Sequence, residues 1–161
     1  KSYSNSFQID VNFEPFRRFV MTTAYRLNDV KQTINGKLED KPLQSRHKAF
    51  LNLMYDTEDN GWNFDFTLEY NGEGRLPNTS MNPVEYQLKE KFPAFAMVNA
   101  QVTKKFDNFD IYVGGENLTD YKQSNPILAA NDPFGTHFDS SMIWGPVTGR
   151  MIYMGVRMKF E

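Results

Sequence analysis

From Trp62 to Asn71 the chain reads Trp-Asn-Phe-Asp-Phe-Thr-Leu-Glu-Tyr-Asn, apolar and polar in strict alternation. An extended strand points successive side chains to opposite faces. Trp62, Phe64, Phe66, Leu68 and Tyr70 therefore share one face, and Asn63, Asp65, Thr67, Glu69 and Asn71 share the other. A helix would scatter the same residues around its axis, because its period is about 3.6. The segment is a strand with one wet side and one apolar side.

The same two-faced pattern predicts about seven strands along the chain. They cover residues 5–14, 19–28, 45–56, 62–71 and 94–106, then a strand carrying Phe109, Ile111 and Val113, and a final one over 149–160. Residues 15–18, 58–61 and 107–108 make short turns, the second with an Asn60-Gly61 hairpin signal. Residues 29–44, 73–93 and 118–148 make long polar connections. Short and long thus alternate without exception. Outer-membrane barrels sort their loops this way, with short periplasmic turns and long extracellular loops. A soluble sandwich has no reason to.

Aromatic residues gather at the short turns: Phe13, Phe16 and Phe19 at the first, Tyr55 and Trp62 at the second, Phe106 and Phe109 at the third, with Phe160 reaching the same end. Rings at one level form the girdle that barrels place among lipid headgroups. On the opposite strand positions stand Asp10, Glu14, Lys48, Asp65, Glu69, Asp110, Arg157 and Lys159. In a barrel this set lines a wet lumen.

Composition narrows the classes. The charges of the 161 residues nearly cancel, at a formal net of −2, which gives no footprint for nucleic acid. Cysteine is absent, which excludes disulfides, thiolate metal sites and thiol catalysis. No stretch approaches the roughly 18 apolar residues of a membrane helix. A barrel strand shows only alternate residues to lipid, so its hydropathy signal is weak.

One stretch carries a family likeness. Val113-Gly114-Gly115-Glu116-Asn117-Leu118-Thr119-Asp120-Tyr121-Lys122-Gln123 resembles the G-x-E-N-L-T-D/N-Y segment near the end of TonB-dependent outer-membrane receptors. Trp144-Gly145-Pro146, Gly149-Arg150 and Tyr153-x-Gly155 through Phe160 look like the last strand of those receptors. Asp132-Pro133-Phe134-Gly135 and Asn71-Gly72-x-x-Arg75-Leu76-Pro77 are similar to loop motifs in one branch of them.

The resemblance implies a barrel of about 22 strands with an N-terminal plug, importing a scarce nutrient with inner-membrane energy. It assigns residues 1–161 to the C-terminal portion of such a barrel, with the plug and the energy-coupling segment elsewhere. The implied partners are the remainder of the barrel and plug, the TonB energy-coupling protein, outer-membrane lipid and the barrel-assembly machinery, with a surface lipoprotein as an optional further one. Nucleic acid is not among them, and neither a cofactor nor an enzymatic activity is implied. The cargo class spans ferric chelates, vitamins, peptides and glycans. Tyr153, Gly155, Met158 and Phe160 are similar to the C-terminal signal read by the assembly machinery.

Other readings were weighed on their residues. His47 and His137 with Asp132 or Asp139 hold donor types that bind metal. Ser140, Ser141 and His137 hold a nucleophile and a base, but no Gly-x-Ser-x-Gly elbow accompanies them. Gly114-Gly115 precedes no helix, so it is no phosphate loop. Tyr121, Phe134, Phe138 and Trp144, with Asp132, Asp139 and Arg150, fall at the expected mouth, where such residues either contact ligand or pack long loops on one another, and no single one is assigned to substrate. A barrel piece serving as a structural or interaction module is the runner-up function, and an outer-membrane hydrolase the third.

These readings fix an architecture that can be checked. All structure is antiparallel β. Ile9, Val11, Leu51, Phe64, Phe66 and Ile152 face lipid, and Asp10, Asn52, Asp65 and Tyr153 face the lumen.

Overall fold

The computed structural model describes residues 1–160, and Glu161, which follows the last residue of the expected assembly signal, lies outside them. The chain is all-β. An antiparallel meander runs through β1 (Tyr3–Phe16), β2 (Phe19–Ile34), β4 (His47–Asp56), β5 (Trp62–Asn71), β8 (Phe95–Lys105), β9 (Phe109–Glu116) and β10 (Met151–Met158). β3 (Lys37–Asp40) completes the 8-stranded sheet by pairing with the far end of β2. β6 (Gly74–Arg75) and β7 (Lys91–Phe92) form a small ladder within the second long connection.

The expected strands all form, some of them longer than predicted. β2 continues to Ile34 because Asn35 and Gly36 adopt φ values of 49° and 80°, the left-handed pair that a tight hairpin requires. That turn creates β3, which the polar composition of 29–44 concealed. At the first short turn, β1 runs on to Phe16 across a bulge after Phe13, and Arg18 takes φ 69° to reverse the chain.

Register joins the alternating strands into one face. Phe16 pairs with Phe19, then Tyr55, Phe64, Val102, Val113 and Met154 in turn, a row crossing the whole meander. The next row is Phe13, Met21, Leu53, Phe66, Ala100, Gly115 and Ile152. The opposite face carries Asn12, Thr22, Asn52, Thr67 and Asn99 in one row. Asn52 Nδ2 donates there to Asp65 at 3.1 Å and to the Thr67 hydroxyl at 2.9 Å. Ile9, Val11, Leu51, Phe64, Phe66 and Ile152 share the first face, and Asp10, Asn52, Asp65 and Tyr153 the second, as the alternation requires.

Neither face is covered by a second layer among the described residues, since the strands of the sheet touch only their ladder neighbours. Phe66, at the middle of β5, is 36% exposed, where a sandwich would bury it. β1 is exposed along its whole length, and β1 and β10 are the two edges of an open sheet. The buried apolar side chains, Leu76, Phe92, Phe95, Leu128, Ala129 and Met142, lie in the long connections and where they meet β8. The core sits beside the sheet and not on it.

The meander places the three short turns at one end and the three long connections at the other. Rings meet at the short-turn end. Phe16 stacks on Phe19 at 4.8 Å, Trp62 on Phe64 at 6.3 Å and Phe106 on Phe109 at 4.6 Å.

Candidate functional site

The long-loop end concentrates both the packed core and the recognisable motif. Phe92, only 1% exposed, stacks on Trp144 with ring centres 4.7 Å apart. Phe95 stacks on Tyr121, also at 4.7 Å, and lies tilted against Trp144 at 5.9 Å. Of the two roles open to these rings, Tyr121 and Trp144 take the second and hold the loops together. Partial burial also pushes the Tyr121 hydroxyl pKa up.

The Asn117-to-Gln123 motif is a set of internal clasps. Asn117 takes φ 48°, which releases the chain from β9. Its side chain donates to the carbonyls of Tyr121 at 2.8 Å and Thr148 at 3.2 Å, and accepts from the Tyr121 N–H at 3.1 Å. Gln123, 5% exposed, donates to the Met142 carbonyl at 2.6 Å and accepts the N–H groups of Trp144 and Gly145 at 2.8 and 3.0 Å. Asp120 accepts the Arg150 N–H at 2.8 Å, closing the two ends of the longest connection. Each side chain satisfies backbone groups that a connection without regular ladders leaves unpaired.

That closure depends on charge. The Arg150 N–H, and after it the Lys122 ammonium, hold the Asp120 carboxyl below the usual carboxylate range. A carboxyl depressed in the folded state stabilises above its unfolded pKa of about 3.9, and the effect is lost as pH falls through the lower folded value. Protection of the Arg150 amide, its exchange rate measured against the intrinsic rate at the same pH, should hold at neutral pH and fall below about pH 4. Asp120→Asn should abolish that step, and a step that persists would assign it to another group.

Cavities open beside this core. One of about 380 Å³ is lined by Arg75, Leu76, Asn78, Thr79, Lys89 and Glu90. A second, of about 220 Å³, lies against Lys41, Arg46, His47, Glu73 and Lys91, and Arg75 lines both. Arg75 pairs with Glu39, and Lys91 pairs with Glu73 at 2.6 Å, which raises the lysine pKa. These mixed-charge walls can hydrogen-bond a polar solute, and the larger cavity has the volume of a small-ligand site.

The other candidates are dispersed. His47 Nδ1 lies 2.7 Å from the Tyr25 hydroxyl on β2, while the His137 ring rests against Tyr86 at 5.8 Å. Asp139 accepts the Ser141 N–H at 2.7 Å and its backbone bridges Leu128, which fixes the loop that carries the serines. Among the described residues no group of three metal-ligating side chains comes together. Phe134 is 100% exposed at the tip of its loop and Phe138 is also exposed, apart from the stacked rings. The loop pairing of β6 with β7 had no sequence signal beyond Gly74, where an added Cβ would strike the Phe92 ring and the Gln44 carbonyl.

The C-terminal residues have partners inside the sheet. The Tyr153 hydroxyl donates to Gln101 Oε1 at 3.1 Å, and its ring covers the space where Gly114, its register partner, lacks a side chain. One step along, Tyr112 covers Gly155 in the same way. The space over Gly155 is thus filled from the neighbouring strand β9. Met158 pairs in register with Phe109 at the edge, and Phe160 is exposed beyond it. Gly155→Val should cost about 1–3 kcal/mol by displacing the ring. Tyr112→Ala in the same chain should restore part of that loss in a denaturant unfolding series. No recovery would mean that the ring does not matter.

No model of a known protein family matches this chain, and no curated protein is significantly similar to it.

Proposed function

We propose that this chain is a stretch of wall from a TonB-dependent outer-membrane receptor, its C-terminal portion, and serves energy-coupled import of a nutrient. The observation that carries the reading is the predominantly apolar face across seven strands with no second layer over it. Such a face left in water would be far larger than the few hundred Å² that soluble monomers expose. Lipid is the solvent that suits it. β5, at 10 residues, has the length that a tilted strand needs to cross a bilayer, about 9–11 residues.

Two further features support it. The loops are sorted by length between the two ends, with stacked aromatics at the short-turn end. The edges β1 and β10 present unpaired ladder groups, which a bilayer cannot satisfy. In the full barrel those groups pair with further strands. The polar face then lines the lumen, and the packed loops with their two cavities stand at the outer mouth, where cargo arrives. The resemblance of the 113–123 and 144–160 segments to the receptor family gives the transport reading its content.

The parent gene should encode a plug and a coupling segment upstream of Lys1, and its product should fractionate with the outer membrane. Recovery of the product from the soluble fraction would contradict the reading, and so would an upstream region with no plug. In that parent protein, deletion of residues 156–161 should lower outer-membrane abundance severalfold, whereas full abundance would remove the assembly role of the terminal strand.

A further inference from the structure

One cation stands on the wrong face. From the short turns up to the row of Ile9, Tyr25, Ala49, Tyr70 and Ala96, the apolar side of the sheet carries a single formally charged side chain among the described residues, Lys104. Its register partners are Trp62 on β5 and Ile111 on β9. Its ammonium sits 4.8 Å from the centre of the Trp62 ring and 5.9 Å from that of Phe106. It enters none of the ion pairs of the described residues. Asp59, the acid of the adjoining turn, lies beside the ammonium but beyond ion-pair distance, and its carboxylate accepts from the Thr57 hydroxyl and the Gly61 N–H.

The position decides what such a group can meet. Lys104 is the second-last residue of β8, one strand position from the short turn and within the ring of aromatics. A lysine at the interface keeps its stem on apolar surface and its head among headgroups. There the group that every phospholipid supplies is a phosphodiester anion. The two rings hold the half-buried ammonium by cation–π attraction, and its charge, outside the ion pairs of the described residues, attracts that anion. The geometry points to a seat for one phospholipid phosphate of the periplasmic leaflet, made by Lys104, Trp62 and Phe106. This rests on the membrane reading above, which places the short turns at that leaflet.

The test uses the full-length receptor purified in neutral detergent, with phosphatidylglycerol titrated in and bound lipid counted by native mass spectrometry. Lys104→Gln should weaken binding of the first lipid about fivefold, the factor expected for one lysine near an anionic surface. Lys104→Arg should keep it, and Lys48→Gln, on the other face, should not change it. Equal lipid affinity in wild type and Lys104→Gln would overturn the seat, and so would an equal loss in Lys48→Gln. Displacement of the lipid by an equal concentration of inorganic phosphate would show a free-anion site instead. A receptor that fractionates as a soluble protein defeats the membrane reading itself, while an outer-membrane receptor whose Lys104→Gln variant keeps its lipid defeats only the seat.

Discussion

Phe66→Arg should destabilise the membrane-inserted protein by about 2–4 kcal/mol, the depth-dependent cost of a cation on the lipid face near the midplane. Phe66 stands halfway along β5 and in the middle of a row from Phe13 to Ile152 that holds no charge. The row continues on either side, so no strand displacement can hide an arginine there. Asp65→Arg, one residue away, should cost much less, because Asp65 stands on the polar face and loses only its bonds from Asn52 and the Thr67 hydroxyl. Urea unfolding from lipid vesicles, with the two variants compared, measures the difference. Equal costs would show that the two faces are not distinguished by their solvent.

Gln123→Leu should be the most damaging single change in the long connections, at about 3 kcal/mol or more. Leucine nearly matches the volume and offers no polar atom. The N–H groups of Trp144 and Gly145 and the carbonyl of Met142 would then be stranded in a buried site, at about 1–3 kcal/mol for each group left unpaired. The effect should be local. Amide exchange should accelerate through residues 118–148 and leave β4 and β5 protected, since no side chain of that loop pairs the central ladder. Uniform loss of protection would mean that the loop core and the sheet unfold together.

The sheet was legible because its chemistry has a short period. Alternation in 62–71 and its neighbours sets each strand and each face, and register adds only which residues stand abreast. β3 was not legible. Its pairing depends on the left-handed backbone at Asn35 and Gly36, within a segment whose polar residues alternate with nothing. The pairs β1-β2, β4-β5 and β8-β9 followed from the short turns, because two to five residues allow only an antiparallel neighbour, whereas the joins across the long connections are seen only in the register.

The loop end was read less well, and for a physical reason. Tyr121 and Trp144 are aromatic residues in a polar connection, a pattern shared by ligand platforms and loop cores. Only the partners Phe95 and Phe92, remote in sequence, show that these two rings are core. The Asn117-to-Gln123 segment stood out as a motif, yet its side chains bond to the chain's own backbone. A motif that is a clasp and one that is a binding site look alike until the acceptors are known.

The central claim is that the face carrying Phe64, Phe66 and Leu68 meets lipid. The chain contains no cysteine, so single cysteines placed at each residue of β5 can be spin-labelled without background from it. In vesicles, labels at Phe64, Phe66 and Leu68 should relax with dissolved oxygen and be shielded from a water-soluble nickel chelate. Labels at Asp65 and Thr67 should show the reverse, giving a period of two along the strand. Labels at Phe64, Phe66 and Leu68 shielded from both reagents would place that face under a second protein layer and contradict the account.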